Sequence, residues 1–269
     1  MKIVVFNLGC KVNKYESDSI ARSLREKGHD VVCELEKADL YILNTCAVTN
    51  EAERKSRQCV TRCLKLNPAA KVIVTGCASQ AGAAQFENKK GVTFVSGVAG
   101  KSRIAEELEK VGIAVDPLPT VYEEMETPFV ERTRAYVKVQ DGCDNFCSYC
   151  LIPYLRGRSR SRDLAAVVAE CDKLSKDTGE IVLTGIDLSS YGKNTGSSLK
   201  ELIQNLADIN CRVRLGSLEQ GVIDEGFLKA TKELKKFCPQ FHLSLQSGSD
   251  AVLKKMNRRY TKEQYLDLV

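Results

Sequence analysis

Short apolar runs alternate with helix-like amphipathic segments over the first 110 residues, and this alternation limits the possible folds more than any other feature. The apolar runs predict strands at residues 3–8, 31–35, 40–43, 72–75 and 92–95. Helical patterns lie between or after them at residues 17–27, 50–66 and 101–111, with Thr49 or Asn50 as the expected cap of the second. Because the strands are apolar throughout, they predict a doubly wound parallel sheet with helices on both faces.

A second alternating series follows a stretch without clear periodicity. That stretch, residues 116–133, contains prolines and an acidic run, so we interpret it as a linker between domains at residues 1–115 and 134–269. The second domain has strand patterns at residues 135–139, 181–184, 213–215 and 241–245, and helices are expected to begin near Asp163, Ser198, Asp224 and Asp250. This α/β series predicts a β/α barrel. Since the chain ends at Val269 within a helical pattern, we expect the barrel to be incomplete.

Cysteine is the unusual component of the composition, because the 269 residues include 12 Cys and only 2 His. No apolar run approaches the roughly 18 residues of a membrane span, and the run at residues 3–6 is too short for a signal peptide. The expected location is therefore the cytoplasm, with no membrane partner. In that reducing compartment, metal or cluster ligation explains many cysteines better than disulfides do. Two histidines leave little room for His-rich catalytic zinc sites.

Three cysteines follow the first strand of the second domain in a C-x3-C-x2-C pattern: Cys143, Cys147 and Cys150. Three thiolates at this spacing are able to ligate three irons of a [4Fe-4S] cluster, which leaves the fourth iron open to a substrate. A structural zinc site is the alternative. It needs a fourth ligand, however, and the next cysteine, Cys171, lies on a predicted helix. The spacing therefore favours a cluster with an open iron.

This motif, with an aromatic residue before its last cysteine, resembles that of the radical S-adenosylmethionine (SAM) superfamily. The resemblance implies a partial radical SAM β/α barrel in which Cys143, Cys147 and Cys150 hold the cluster and Tyr149 flanks the adenine of SAM. In that superfamily SAM binds the open iron through its amino and carboxylate groups. Its reductive cleavage yields a radical that abstracts hydrogen, so the cofactors carry the chemistry and the protein positions them.

Three further cysteines each follow a predicted strand of the first domain: Cys10, Cys46 and Cys77. The carboxyl ends of parallel strands meet at one edge of the sheet, where ligand sites of doubly wound folds form, so these thiols can converge in space. The alternative is that small thiols simply pack at strand ends, since buried cysteine is common. Three cysteines at equivalent strand ends favour a shared cluster.

Together the two cysteine sets resemble the methylthiotransferase family of radical SAM enzymes over essentially the whole chain. The resemblance is densest at NLGCKVNKYES (residues 7–17), NTCAVTNEAERKSRQ (44–58), VQDGCDNFCSYCLIPYLRGRSRSR (139–162), residues 183–192 and 216–220, HLSLQSGSD (242–250) and MNRRYT (256–261). GCKVN, CAVTNEAERKSRQ and RGRSRSR are most similar to the branch that acts on threonylcarbamoyladenosine next to the tRNA anticodon. Sister branches act on isopentenyladenosine in tRNA or on a ribosomal-protein aspartate.

The family resemblance implies a reaction in which a methylthio group replaces the hydrogen on carbon 2 of the adenine. One SAM methylates sulfur held at an auxiliary [4Fe-4S] cluster, and a second SAM supplies the radical. By this resemblance the auxiliary cluster belongs to Cys10, Cys46 and Cys77. Three residues at strand ends match positions that line the family's SAM pocket, although ordinary strand-end and turn residues explain them equally well: Gly185, Glu219 and Gln246. The implied partners are a tRNA anticodon stem-loop, an electron donor and a sulfur source, the last two of unknown identity.

Basic residues cluster twice in the second half of a chain whose net charge is a modest +5. The first cluster alternates through Arg156, Arg158, Arg160 and Arg162, and the second contains Lys254, Lys255, Arg258, Arg259 and Lys262. A solvated surface is one interpretation of such runs. Because guanidinium groups suit phosphate and a stem-loop presents phosphates, we expect the arginine run to contact tRNA.

The remaining patterns carry less weight. Gly100-Lys101-Ser102 lacks the upstream glycine of a phosphate-binding loop, since Val95 occupies that position. Cys59 and Cys63 share a helix face and are expected to pack there. Four other cysteines have no assigned role: Cys33, Cys171, Cys211 and Cys238. A rival function is a noncatalytic RNA-binding protein that uses six cysteines as structural metal ligands.

Overall fold

The computed structural model describes residues 1–129 and 133–269, which group into two compact units. The first unit contains Met1–Pro119, Glu123–Phe129 and Tyr154–Arg156. The second contains Thr120–Tyr122, residues 133–153, and Gly157–Val269. Residues 130–132 of the predicted linker lie outside the described residues. Among the described helices, none combines the length and apolar character needed to cross a membrane.

The first unit is built on a six-stranded parallel sheet with strand order β2-β1-β3-β4-β5-β6. The strands are β1 (Lys2–Asn7), β2 (Asp30–Val32), β3 (Leu40–Thr45), β4 (Lys71–Gly76), β5 (Val92–Ser96) and β6 (Gly112–Ala114). Every residue of β3 is buried, as expected for a strand covered on both faces. The prediction of a parallel-sheet α/β domain is confirmed.

Helices cover this sheet on both faces. They are α1 (Lys11–Glu26), α2 (Asn50–Leu66), α3 (Cys77–Ala81) and α4 (Ala84–Glu87), followed by a 3-10 turn at Lys101–Glu106. Ile3 and Val5 of β1 pack in one apolar cluster with Ile20 and Leu24 of α1, whereas Val4 belongs to another cluster, which also contains residues of α2. Successive strand residues therefore support opposite layers.

Two predicted helices of the first unit differ from the observed ones. The first helix begins at Lys11 rather than near residue 17, with Cys10 as its N-cap residue. The helix predicted at residues 101–111 is only the 3-10 turn Lys101–Glu106, and Gly112–Ala114 forms the edge strand β6 instead. The backbone N–H groups of Gly100 and Ser102 donate to the Glu123 carboxylate, at 3.1 and 2.8 Å. The Glu123 side chain therefore supplies the hydrogen-bond acceptor for these donors at the start of the turn.

The second unit contains a parallel three-stranded sheet with the order β11-β10-β7 and two short strand pairs. Its strands are β7 (Arg134–Lys138), β8 (Gln140–Asp141), β9 (Arg160–Ser161), β10 (Glu180–Thr184), β11 (Arg212–Leu215), β12 (Ser217–Leu218) and β13 (His242–Leu243). Strands β12 and β13 pair in parallel, and β8 and β9 pair antiparallel. The four strands that the sequence predicts for this part of the chain are therefore present, although the fourth is short.

Six helices follow in this part of the chain: α5 (Ile152–Arg156), α6 (Leu164–Ser175), α7 (Leu199–Asn205), α8 (Glu225–Glu233), α9 (Asp250–Lys255) and α10 (Lys262–Leu268). Three of them begin at predicted caps, because the side chains of Asp163, Ser198 and Asp224 each accept a hydrogen bond from the backbone N–H three residues later. The helices α6, α7 and α8 contribute residues to one apolar core with β7, β10 and β11.

Glu180, at the start of the central strand β10, neutralises arginines on both neighbouring strands. Its cross-strand neighbours are Arg134 and Arg212, and its carboxylate accepts from Nε of Arg134 at 2.6 Å and from Nε of Arg214 at 2.9 Å. The Arg214 hydrogen bond is the largest influence on the Glu180 pKa, which lies below its usual value. This carboxylate therefore stabilises the folded state only while it is ionised.

We predict that Glu180→Gln lowers the free energy of unfolding by about 1–2 kcal/mol at pH 7. A lowered folded-state pKa gives stability that is present above the unfolded pKa of about 4.3 and is lost as the pH falls through the folded value. The difference between variant and wild type should therefore shrink between about pH 5 and pH 3 in denaturant titrations. Exposed Glu233→Gln is the control; a deficit for Glu180→Gln that stays constant over this range would contradict the assignment.

Candidate metal centres

The loop between β8 and α5 carries Cys143, Cys147 and Cys150, and a close backbone approach fixes its start. Gly142 has a φ of +71°, and a Cβ at this position would lie 2.0 Å from the carbonyl oxygen of Arg158. Only glycine fits such a position without a shift of the backbone. The backbone N–H of Cys143 donates to the carbonyl oxygen of Gly157 at 3.1 Å, which anchors the first cysteine.

The segment after α9 holds the middle of the same loop. Asn257 has a left-handed φ of +59°, and its Nδ2 donates to the carbonyl oxygens of Asn145 at 3.0 Å and Phe146 at 3.1 Å. The backbone N–H of Ser148 donates to the carbonyl oxygen of Met256 at 3.2 Å. Asparagine is one of the few residues that adopt this conformation readily. The cysteine loop is therefore attached to the second unit at several points.

The three thiols line one cavity of about 150 Å³. Its wall also contains the aromatic side chain of Tyr149 and several polar side chains, which include Asn145, Asp187, Glu219 and Arg258. Two of the SAM-pocket residues predicted from the sequence, Tyr149 and Glu219, thus lie beside the predicted cluster ligands. The other wall residues were not singled out as pocket residues, although Asn145 lies within the cysteine motif and Arg258 within MNRRYT.

The thiols of this cavity are in surroundings that oppose negative charge. Burial raises the pKa of the Cys143 thiol to about 12, and the carboxyl groups of Asp187 and Glu219 add to the shift. Burial also raises the pKa of Cys147, and the charge of Arg258 offsets part of this shift. Thiolates form in such a place when a metal supplies the compensating positive charge. The donor set therefore fits a cationic cluster core.

Arg258 organises the polar side of the cavity. Its Nη2 donates to the hydroxyl oxygen of Tyr149 at 3.0 Å, and its Nη1 pairs with the carboxylate of Glu219. Glu219 also accepts from Nδ2 of Asn145 at 3.0 Å. In the part of the chain that the structure describes, the buried Nε of Arg258 has no hydrogen-bond partner. Arg258 therefore retains a donor that the described protein does not use.

A larger cavity of about 440 Å³ shares Asn145, Asp187 and Glu219 with the thiol-lined one. Its size lies within the range of small-molecule sites. Basic side chains also line it: Lys193, Lys200 and Arg259. Asp187 borders both cavities, and burial followed by the charge of Glu219 raises its pKa. The shared wall places a ligand-sized space directly beside the thiols.

The other two predicted pocket residues do not line the thiol cavity in the described structure. Gly185 lies against Gln140, since a Cβ at position 185 would be 2.8 Å from Oε1 of Gln140. The amide of Gln140 is buried, donates to the carbonyl oxygen of Gly142 at 2.7 Å and accepts from the backbone N–H of Asp187 at 2.8 Å. Gln246 is exposed with a φ of +63°. Gly185 thus supports the cavity indirectly.

Strand register brings the second set of cysteines to one edge of the first-unit sheet. Asn7 of β1 lies opposite Asn44 of β3, which lies opposite Thr75 of β4. The cysteines follow these aligned residues by two or three positions: Cys10, Cys46 and Cys77. Burial raises the pKa of Cys46, and the charges of Cys77 and Cys10 raise it further. The three thiols therefore lie close enough to affect one another electrostatically.

Each of these cysteines is held by a specific contact. The Sγ of Cys10, at the start of α1, donates to Oδ1 of Asn13 at 3.4 Å. The peptide of Cys46 bonds through both its N–H and its carbonyl oxygen to the hydroxyl of Ser56, at 3.2 and 3.1 Å. The Sγ of Cys77 accepts from Nε of Arg156 at 3.3 Å.

Within residues 1–129 and 133–269, no group of three or more His, Cys, Asp or Glu side chains is arranged around a single metal ion. In a [4Fe-4S] cluster each thiolate binds a different iron, so the sulfur atoms stand further apart than they do around one ion. Two groups of three thiols, each lying beyond the ends of strands, are compatible with that geometry.

Comparison with known proteins assigns each part of the chain to a family. Residues 2–97 match the family described as Uncharacterized protein family UPF0004, and residues 137–269 match the Radical SAM superfamily. The chain is 39% identical over 279 residues to the threonylcarbamoyladenosine tRNA methylthiotransferase MtaB of Thermotoga maritima, covering 100% of this chain and 64% of that protein. It is 36% identical to the MtaB of Aquifex aeolicus, covering 100% of this chain and 68% of that protein. The chain belongs to the radical SAM methylthiotransferase family.

A sister branch of the family is also similar. The tRNA-2-methylthio-N(6)-dimethylallyladenosine synthase of Natranaerobius thermophilus is 34% identical, covering 100% of this chain and 63% of that protein. The chain spans about two thirds of the length of these curated relatives. Radical SAM proteins use a [4Fe-4S] cluster and SAM, so membership of the family implies both cofactors.

The expectation that the alternating arginine run contacts phosphate is wrong for three of its four members, because they are buried in ion pairs. Arg156 pairs with Glu16, Arg160 with Asp141 and Arg162 with Glu170. Only the side chain of Arg158 is exposed, at 72%, and its guanidinium group lies over the ring of Phe146. The sequence run has no acidic residue of its own, so these distant carboxylates could not be read from it.

We predict that Gly76→Ala destabilises the protein more than Gly28→Ala does, by at least about 1 kcal/mol. Gly76 precedes Cys77 and has a φ of +107°, and a Cβ there would lie 2.6 Å from the carbonyl oxygen of Thr45. Gly28 also has a positive φ, +83°, but a Cβ there meets nothing within 4 Å. Gly76 therefore combines a steric overlap with a backbone conformation, φ +107° and ψ −160°, that is essentially restricted to glycine. Denaturant titration of both variants makes the comparison, and equal losses of stability would argue against the close approach at Gly76.

Proposed function

We propose that this chain is the cluster-bearing part of a tRNA methylthiotransferase that adds a methylthio group to carbon 2 of threonylcarbamoyladenosine next to the anticodon. The observation that carries the proposal is the presence of two separate groups of three cysteines, one lining a cavity in the second unit and one at the strand ends of the first. A methylthio transfer needs both a radical source and a place to hold sulfur, and two three-cysteine sites supply both.

The proposal assigns one [4Fe-4S] cluster to each group, with Cys10, Cys46 and Cys77 as auxiliary ligands. A cluster with an iron free of protein ligands, together with SAM, supplies the radical that removes hydrogen from the substrate. We assign the SAM site to the neighbourhood of Tyr149 and Glu219, which line the thiol cavity. Gly185 and Gln246 complete the proposed SAM site on the strength of the family pattern.

The protein's own groups suit a ligand with a zwitterionic amino-acid end, which SAM has. Arg258 holds Glu219 and Tyr149 in place and places a positive charge at the cavity wall, which suits a carboxylate. Glu219 offers a carboxylate to a ligand's ammonium group. The adjacent cavity of about 440 Å³ gives room for the rest of the ligand or for the target base. Arg258 and Glu219 therefore act by orienting the ligand before any bond is broken.

The choice among the branches rests on the relatives. The two proteins named as threonylcarbamoyladenosine tRNA methylthiotransferases are 39% and 36% identical, whereas the dimethylallyladenosine synthase is 34% identical. We therefore propose tRNA as the partner and its anticodon stem-loop as the binding region. Exposed basic residues around α9 suit its phosphates: Lys254, Lys255, Arg259 and Lys262.

We predict that anaerobically purified chain holds about eight irons and that the triple variant Cys10→Ala/Cys46→Ala/Cys77→Ala retains about four. The triple variant Cys143→Ala/Cys147→Ala/Cys150→Ala should also retain about four, because each group holds its own cluster. Iron and acid-labile sulfide analysis makes the measurement, and buried Cys171→Ala is the control that should leave both unchanged. A colourless protein with stoichiometric zinc would instead support the noncatalytic RNA-binding alternative.

We predict that tRNA from cells lacking the gene loses 2-methylthio-threonylcarbamoyladenosine and keeps the unmethylthiolated base. Nucleoside analysis by mass spectrometry makes the measurement, and complementation with the gene should restore the modification. Complementation with the gene carrying Cys143→Ala should not. Loss of the methylthio group from isopentenyladenosine instead would assign the chain to the sister branch.

A further inference from the structure

Three charged side chains are buried beneath the cysteines of the first unit. Among its described residues, the buried charged side chains are Glu16, Lys101 and Arg156. Arg156 is 0% exposed, and the other two are 1% exposed. Glu16 contacts both cations: its carboxylate accepts from Nη1 of Arg156 at 3.0 Å and pairs with Nζ of Lys101. Two cations thus share one buried carboxylate.

This arrangement leaves positive charge in excess at a place where charge is costly. A buried ion is stable when an opposite charge and hydrogen bonds compensate it. A sulfur atom is one of the further acceptors of Arg156, since its Nε donates to Sγ of Cys77 at 3.3 Å. The network is therefore complementary to anionic sulfur at the strand ends.

The guanidinium group is also oriented towards the other ligands. Its Nη2 donates to Oδ1 of Asn13 at 2.9 Å, the same oxygen that accepts from Sγ of Cys10. Asn13 is fixed in turn by a 2.8 Å hydrogen bond from its Nδ2 to Oδ1 of Asn44. The planar fork of an arginine makes these contacts at once, which a lysine ammonium does not.

We propose that Arg156 is a positioning residue that raises the reduction potential of the cluster held by Cys10, Cys46 and Cys77. The inference rests on the proposed function for the existence of that cluster. Three thiolates make such a cluster anionic, and the one electron taken up on reduction makes it more so. A positive charge and an N–H···S hydrogen bond stabilise the reduced form of the cluster more than the oxidised form. Charge and hydrogen bonds to sulfur are both established determinants of cluster reduction potential.

The test uses the full chain carrying Cys143→Ala/Cys147→Ala/Cys150→Ala as parent, so that one cluster is observed. Arg156→Gln is introduced into it. This variant is expected to fold because Lys101 remains as the partner of Glu16, so the buried charges balance. Iron content and a mediator titration with dithionite as the electron source, followed by electron paramagnetic resonance, give the midpoint potential. The control is Arg158→Gln, which removes an exposed arginine.

We predict that Arg156→Gln lowers the midpoint potential by at least the equivalent of a tenfold change in the one-electron equilibrium, about 59 mV. Arg158→Gln should leave it unchanged. Arg156→Lys, which keeps the charge but loses the fork, should give an intermediate value, and it serves as the test if Arg156→Gln fails to fold.

The possible failures are distinguishable. If the parent binds no iron, the assignment of an auxiliary cluster fails, and this inference fails with it. If the parent binds about four irons but Arg156→Gln matches Arg158→Gln in potential, the cluster assignment stands and the role of Arg156 is wrong. A purely structural role for Arg156 predicts lower cluster occupancy or stability at an unchanged potential.

Discussion

The hydrogen-bond register of β1, β3 and β4 is the constraint on which the centre formed by Cys10, Cys46 and Cys77 depends. Parallel strands bring their carboxyl ends to one edge, and the alignment of Asn7, Asn44 and Thr75 brings all three cysteines to that edge of the sheet. A slip of one residue would turn Asn44 out of the polar layer that it shares with Asn13. The site is therefore encoded by pairing across the whole sheet.

The centre formed by Cys143, Cys147 and Cys150 also has three thiols, but a loop rather than a sheet brings them together. Its cysteines belong to one loop, so their spacing is local, and the surrounding structure has only to fix the loop through Gly142 and Asn257. The charged side chains differ between the two centres. Asp187, Glu219 and Arg258 lie beside one set of thiols, whereas Arg156 donates to Cys77 in the other. Two clusters with the same ligands would thus experience different local fields, and local charge is one of the means by which proteins adjust cluster potentials.

The fold was predictable where sequence patterns are local and strong. Continuous apolar strands identified β1, β3 and β4, and the polar caps Asp163, Ser198 and Asp224 located three helix starts. The cysteine groups were predictable because spacing and strand ends are visible in the sequence. The start of α1 was missed because its first turn is polar: Asn13 and Glu16 are buried there, serving the site rather than an apolar core. The edge strand β6 was missed because three residues carry too little pattern.

The burial of arginines is the part that no local pattern could supply. In β9 the cross-strand neighbour of Arg160 is Asp141, which also pairs with Lys138. Acidic partners of this kind are distant in sequence, so a run of alternating arginines looks the same whether it faces solvent or lies in ion pairs. An arginine that is already paired and buried has no free fork for phosphate, because freeing it would leave a carboxylate uncompensated. The proposed contact with a tRNA backbone would therefore use exposed cations, such as Arg158 and the basic residues around α9.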